Sequence, residues 1–407
     1  FDHILGKGGC GVVVLGKVRA ASQEVAIKIV DKKNVDVGRL DREIKLLKDM
    51  DHSSVIRIFS VYDSSSLTYL VMEICDGGHL GNLISLEATK YVPEAKAKLL
   101  ASQLVAAVAY IHSKGIAHRD IKLQNVLVER HAHDYVNLKL IDFGYAARFE
   151  GALPMRTKCG TPYTTAPEVI REEYDERCDV WSLGVVLFIM LSGRRPFELQ
   201  RGKQGEDAAR AVMITDILAG RFNFSQKAWK AVSAEGVAFV KELMQPNYKR
   251  RIRSAEVLAH PWLKSSIRTN LTKVITSGYS KNALNNLKKS TRQSALQKTG
   301  MMAVVFGIPA TKTSRMLQLF QYFDTDRSGT ISPFEFADAM TIVSPDLGQA
   351  EVTQLFDTLD YDCNGSISFT EFLAATLDPC EVDIAELNKA FELFDADGNG
   401  YIDRSEI

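Results

Sequence analysis

Two sets of residues are suited to chemistry. His118-Arg119-Asp120-Ile121-Lys122-Leu123-Gln124-Asn125, followed by Asp142-Phe143-Gly144, places carboxylates, an amide and a lysine within a short stretch. Such a set suits phosphoryl transfer, which needs positioned charge and hard oxygen ligands more than a covalent nucleophile. In that chemistry Asp120 orients a hydroxyl and accepts its proton, Lys122 steadies the transferred phosphate, and Asn125 and Asp142 hold Mg²⁺. The second set is three acidic loops, 324–335, 360–371 and 395–406. Their expected calcium ligands are Asp324, Asp326, Ser328, Thr330 and Glu335; Asp360, Asp362, Asn364, Ser366 and Glu371; and Asp395, Asp397, Asn399, Tyr401 and Glu406. Oxygen side chains stand at the first, third and fifth positions, a glycine permits the sharp turn at the sixth, and a bidentate Glu closes the loop. Polar residues that merely cap turns would not recur in this order and spacing.

The elements needed to position these groups are also legible. Gly6-Lys7-Gly8-Gly9-Cys10-Gly11-Val12-Val13 fits G-x-G-x-x-G-x-V, and its glycines let backbone amides approach phosphate oxygens. A dinucleotide fingerprint opens a helix at this point. Here the loop runs into more strand, Val12 to Leu15 and then Val25-Ala26-Ile27-Lys28-Ile29-Val30, the order found in protein kinases. Lys28 then meets the α- and β-phosphates, and Glu43, on a helix expected over 40–50, is its ion-pair partner. Further helices are expected over 94–112 and 179–191, the second apolar almost all round and so buried. The acidic loops lie in a repeat of 35–36 residues, each unit a helix, a loop and a helix. Ile331, Ile367 and Ile402 are placed to pair the loops by short β contacts.

With 407 residues the chain is long enough for two or three domains. Its formal net charge of zero hides an asymmetry: from Met316 to Ile407 there are 19 Asp/Glu against 3 Lys/Arg. Between Lys264 and Arg315 there are 10 Lys/Arg and no acid. Leu271, Val274 and Ile275, and again Leu284 and Leu287, fall on common helical faces there. That stretch reads as a solvated linker or as a basic amphipathic segment that binds an acidic groove. The six cysteines form no CxxC pair, which fits reduced thiols and a cytoplasmic protein. No apolar run approaches the roughly 20 residues of a membrane span. The chain begins at Phe1, directly before the glycine motif, and ends at Ile407, directly after the third loop. It therefore reads as a fragment missing both ends, which leaves membrane attachment open.

Ala166-Pro167-Glu168, Asp179-Val180-Trp181-Ser182-Leu183-Gly184 and Arg251 before His260-Pro261-Trp262 complete the series, and residues 1–263 resemble a eukaryotic protein kinase catalytic domain. The resemblance implies an α+β bilobal protein kinase fold, with an N-lobe over 1–72, a hinge over 73–75 and a C-lobe over 76–263. A basic autoinhibitory junction over 264–315 and an all-α, calmodulin-like EF-hand domain over 316–407 follow. It also implies a Glu168–Arg251 pair, an adenine site made by Leu5, Val13, Ala26 and Leu127, and Met72 as gatekeeper. Glu73 to Cys75 form the hinge, and Leu47, Ile58, His118 and Phe143 stack as a spine. ATP, Mg²⁺ and Ca²⁺ are the implied cofactors. Lys122 with Gly160-Thr161 matches the serine/threonine pattern, and Thr157 stands where many kinases carry an activation-loop phosphate. Kinase, junction and EF-hands in this order resemble the calcium-dependent protein kinases of plants and protists, which carry four EF-hands.

Three positions depart from that family: His79 and Gln124 stand where acids read a basic residue upstream of the target, and Thr164 stands where a Tyr is expected. The expected activity is calcium-regulated phosphorylation of Ser/Thr in protein substrates. Intramolecular contact between junction and EF-hands, a monomeric state and no nucleic-acid partner are expected with it. Alternatives are a calcium-responsive pseudokinase scaffold, against which Lys28, Asp120 and Asp142 argue, and a kinase whose EF-hands buffer calcium without gating activity.

Overall fold

The computed structural model describes residues 3–8, 11–17, 24–130, 136–149, 153–198, 206–264, 278–290, 293–308 and 310–384, with part of 387–391. Gly9, Cys10, residues 265–277 with Leu271, Val274 and Ile275, and the whole third loop with Asp395, Asp397, Asn399, Tyr401 and Glu406 lie outside the described residues. Two compact units result. One contains Phe1–Ile74, His131–His133 and Thr269–Ile407; the other contains Cys75–Arg130 and Asp134–Arg268.

The first unit opens with strands rich in Val and Ile. β1 (His3–Gly8), β2 (Gly11–Lys17), β3 (Glu24–Asp31), β4 (Ile58–Asp63) and β5 (Leu67–Met72) form one antiparallel sheet in the order β1-β2-β3-β5-β4. Gly11 is required where β2 starts, because a Cβ there would lie 2.1 Å from the Ile29 carbonyl oxygen. Helix α1 (Val37–Lys48) starts three residues before the expected position, because the Asp36 carboxylate accepts the Arg39 N–H and caps it. Its buried face carries Leu40, Glu43, Leu46 and Leu47.

The acidic region of the same unit contains the helices Ala310–Phe323, Pro333–Val343, Gln349–Leu359 and Phe369–Thr376. β10 (Thr330–Ile331) and β11 (Ile367–Ser368) join the first two loops, with Ile331 opposite Ile367 as expected. Phe320, Phe323, Phe336 and Phe372, all fully buried, form the centre of this pair, with ring centroids of successive partners 5.5–5.6 Å apart. Two helices of the basic stretch, Gly278–Ser290 and Ala295–Gly307, pack on helix Phe369–Thr376. Leu287 is fully buried, the Asn286 side-chain amide donates to the Thr376 carbonyl (3.3 Å), and the Lys298 ammonium donates to the Thr358 carbonyl (3.2 Å).

The second unit is mostly helical. In chain order it contains α2 (Leu80–Leu86), α3 (Glu94–Ser113), β6 (Ile116–Ala117), β7 (Val126–Arg130), β8 (Val136–Leu140), β9 (Ala147–Arg148) and α4 (Pro167–Ile170). Then come α5 (Arg177–Ser192), α6 (Glu206–Ala219), α7 (Ala234–Leu243), α8 (Ser254–Leu258) and α9 (Pro261–Lys264). In α5 every residue from Cys178 to Ser192 is buried, as its all-round apolar character requires. Antiparallel pairs β6–β9 and β7–β8 frame the two motif-bearing loops.

The pair Glu168–Arg251 is fully buried. Arg251 meets both carboxylate oxygens and also donates to the carbonyls of Arg177 and Gln245. Arg251→Ala should therefore leave a buried carboxylate unpaired and destabilise the folded chain by about 3–5 kcal/mol. Chemical denaturation checks this; a loss below about 1 kcal/mol, the scale of a surface pair, would contradict it.

Candidate active site and calcium sites

The catalytic-loop residues converge in the second unit. Asp120, 2% exposed, accepts the Lys122 ammonium (2.6 Å) and the Asn125 amide (3.1 Å) at Oδ2, and the Thr161 hydroxyl (2.7 Å) at Oδ1. Lys122 also donates to Thr161 Oγ1 at 3.1 Å. A second Asn125 contact, to the Asp120 carbonyl at 2.9 Å, fixes the amide's orientation. Asp142 follows β8 with φ 65°, and Arg119 has φ 66°, both in the left-handed region. Such strain persists at functional sites where surrounding contacts over-determine it. Here they are identifiable. The Asp179 carboxylate, at the start of α5, accepts the backbone N–H groups of His118 (2.7 Å) and Arg119 (2.8 Å) and meets His112 Nε2 at 2.9 Å. Burial alone would raise the Asp179 carboxyl, but the His112 bond, the nearby His112 and His118 and the Arg119 N–H hold it below the ordinary range. His118 Nε2 meets the Ile141 carbonyl at 3.0 Å, and its ring packs edge-on against Phe143 at 4.8 Å, tying the two motifs together.

Thr157, half-way along the activation segment, is exposed, and its carbonyl accepts the Tyr174 hydroxyl at 2.6 Å. Tyr174 in turn accepts from Arg119, which also donates to the Tyr145 carbonyl. The segment is thus held at Arg119 by a phenol and a carbonyl.

In the first unit the Lys28 ammonium meets Glu43 Oε1 at 2.7 Å, with the two side chains 15% and 5% exposed. β3 and α1 therefore deliver the expected pair. Ala26 lies opposite Met72 across β3 and β5. Gly6, Lys7 and Gly8 lie on β1 facing Val13, Val12 and Gly11 of β2, so the described glycine motif is the two arms of a hairpin. Leu5 is exposed and Glu73 is buried, its carboxylate accepting the Arg57 backbone N–H at 2.7 Å. Cys75 and Leu127 are half-buried in the second unit.

Both described acidic loops gather carboxylates. The oxygens of Asp324, Asp326 and Glu335 lie within 4.8 Å of one another, and so do those of Asp360, Asp362 and Glu371. Glu335 is pre-positioned by the Asp326 N–H (2.9 Å) and Thr325 hydroxyl (3.0 Å) on one oxygen and the Ser332 N–H (3.0 Å) on the other. Glu371 is held likewise by the N–H groups of Tyr361 (2.8 Å) and Ser368 (2.7 Å). Ser328 Oγ lies 2.9 Å from the Thr330 carbonyl, and Ser366 Oγ 2.7 Å from Asn364 Oδ1, so the fifth and seventh positions face each other in both loops. Asp324 Oδ1 is buried with no hydrogen-bond donor, and burial together with Glu335 and Asp326 pushes this carboxyl well above the carboxylate range. Converging carboxylates with an orphaned buried oxygen fit a hard cation bound by oxygen alone.

The calcium loops also meet the turn that follows α1. The Thr370 N–H donates to Asp51 Oδ2 at 3.2 Å. A Cβ at Gly329 would lie 2.0 Å from Cδ2 of the buried His52. Sequence reasoning missed this contact, and it missed the anchoring role of Asp179 and the bridge made by Thr161. Local signals existed for two of the three, the DVWSLG motif for Asp179 and the Gly160-Thr161 pattern for Thr161.

Comparisons with known proteins agree with this geometry. The protein kinase domain family matches residues 1–263, an EF-hand domain pair matches 313–377, and a further EF hand matches 387–407. The chain is 34% identical over 408 residues to calcium-dependent protein kinase 5 of Plasmodium falciparum (isolate 3D7), covering 99% of this chain and 69% of that one. It is 32% identical to calcium-dependent protein kinase 9 of Oryza sativa subsp. japonica (99% and 68% covered) and to calcium-dependent protein kinase 9 of Arabidopsis thaliana (99% and 73% covered). Kinase fold, EF-hands and relatives across nearly the whole chain lead to one conclusion: the chain belongs to the calcium-dependent protein kinases, Ser/Thr kinases that use ATP and Mg²⁺ and bind Ca²⁺ through their own EF-hands.

Proposed function

We propose that calcium at the first two EF-hands switches phosphotransfer on by drawing the basic junction away from the kinase. The observation that carries this reading is the seating of helix Gly278–Ser290, which ends in Lys288 and Lys289, on the acidic EF-hand pair, with Leu287 fully buried and Asn286 bonded to Thr376. Opposite charge and tethering favour the contact, since a linked partner has a high effective concentration. Calcium opening of a sensor pair supplies the apolar face that such a helix needs.

In the transfer step Asp120 orients the substrate hydroxyl and accepts its proton, while Lys122 and Thr161 hold that carboxylate in place. Lys28, fixed by Glu43, meets the α- and β-phosphates of ATP, and Asn125 and Asp142 supply oxygen ligands for Mg²⁺. Bound Mg²⁺ supplies charge neutralisation on the phosphates. Five described cysteines are free thiols, which supports a cytoplasmic placement.

A second contribution is favoured by the contact of both calcium loops with Asp51 and His52. These residues follow the helix that carries Glu43, so the EF-hand pair also steadies α1. One experiment separates the two. Phosphorylation of a generic Ser/Thr peptide is measured for the full chain with calcium and with chelator, and for the chain truncated after Leu263. The full chain should be active only with calcium. High calcium-independent activity in the truncated chain means that release of the junction dominates; a folded, ATP-binding but inactive truncation means that support of α1 dominates. Equal activity of the full chain with calcium and chelator would sink the gating proposal.

A further inference from the structure

The catalytic loop is joined to an arginine pair that the transfer step does not use. The Arg195 guanidinium lies 4.1 Å over the centroid of the Tyr163 ring. Tyr163, 9% exposed, donates its hydroxyl to Gln124 Oε1 at 3.1 Å. Gln124 is itself exposed, four residues beyond Asp120. Arg195, Tyr163 and Gln124 thus form a connected path to the loop that holds the acceptor hydroxyl. Electrostatics give the same placement: burial raises the Tyr163 phenol, while Arg195 and Lys122 draw it down and Asp120 pushes it up, so one ring lies within reach of all three charges.

Arg194 and Arg195 are both exposed, and among the described residues neither guanidinium pairs with a carboxylate. Gln124 and His79 contribute no negative charge. An exposed guanidinium packed 4.1 Å over a ring has less rotamer freedom left to lose. It is therefore pre-organised for a fork of hydrogen bonds to a carboxylate or phosphate. Packing on the ring does not consume its N–H donors.

We propose that Arg195, with Arg194 beside it, selects protein substrates carrying an anionic side chain within a few residues of the phosphoacceptor. The anion is the carboxylate of Asp or Glu, or the phosphate of an already phosphorylated residue. In the latter case the enzyme acts on a substrate that an earlier phosphorylation has prepared. A basic side chain at the same position meets two positive charges and is disfavoured. The proposal rests on the kinase assignment and names the substrate class for it.

The test uses the full chain at saturating calcium and a Ser peptide with otherwise neutral residues. Glu, phosphoserine or Arg is introduced at each flanking position in turn. At one position Glu should raise kcat/KM by about tenfold or more, the scale of a charge-assisted contact, and Arg should lower it. A gain with phosphoserine but not Glu identifies phosphate as the anion; gains with both identify negative charge as sufficient. The ratio of anionic to neutral peptide should collapse toward one in Arg195→Gln and should fall with added salt, because the site is exposed. Arg195→Lys, which keeps charge but loses the fork, should retain only part of it. Turnover of the neutral peptide reports that each variant is folded. Neutral turnover with no anionic gain at any position, preference for Arg, or a gain that survives Arg194→Gln with Arg195→Gln would overturn this inference alone. No turnover of any peptide would overturn the kinase assignment and this inference with it.

Discussion

Replacing Asp120 by Asn should lower phosphotransfer by about 10²–10⁴-fold, the usual contribution of a positioned general base. The substitution is nearly isosteric, so the fold should survive it. The amide oxygen can take the place of Oδ2, which receives both Lys122 and Asn125. The amide NH₂ then faces Thr161 Oγ1, whose hydroxyl can rotate from donor to acceptor. What is lost is the negative charge and the basic lone pair that receives the substrate proton. ATP affinity should remain largely intact, because Asp120 is not among the proposed metal ligands. Asp142→Ala should differ, weakening Mg²⁺–ATP binding as well as turnover. Single-turnover phosphorylation with parallel nucleotide titration separates these outcomes. Full activity in Asp120→Asn would remove Asp120 from its assigned role.

Glu335→Gln combined with Glu371→Gln should leave the full chain locked off at calcium concentrations that activate the unmodified protein. Each Glu supplies the closing carboxylate of its loop. Gln keeps a side-chain oxygen for the Ser332 and Ser368 N–H groups that cap the following helices, so the helix starts persist. Loss of one charged ligand per site costs on the order of 1.5–3 kcal/mol, tenfold or more in affinity. From a sensor range of roughly 10⁻⁷–10⁻⁵ M, that loss moves binding out of the signalling window. Calcium titration of kinase activity, with direct calcium binding measured on the same samples, checks both links. An unchanged calcium response in the double variant would shift the switch away from these two loops.

The sequence by itself determined the chemistry. Phosphate approach, Mg²⁺ ligation and proton acceptance impose residue types within short stretches, as in 118–125 and 142–144. Calcium imposes a twelve-residue loop whose ligands are all local. Helices α1, α3 and α5 were likewise legible, since their apolar spacing is a local property; their ends shifted by up to three residues, most at the start of α1, set by the Asp36 cap. The tertiary structure decided what depends on residues distant in sequence. Asp179 holds the backbone of His118 and Arg119 from the first turn of α5, and Thr161 closes the Asp120–Lys122 contact from the activation segment. Asp51 and His52 meet loops that begin more than two hundred residues later. Arg195 reaches the catalytic loop through Tyr163 and Gln124. Motifs mark Asp179 and Thr161 as residues, but no period or motif names their partners. A buried carboxylate, a hydroxyl and a guanidinium acquire their roles from the partners that packing brings within about 3–4 Å, and hydrogen bonds and ring contacts fade beyond that range.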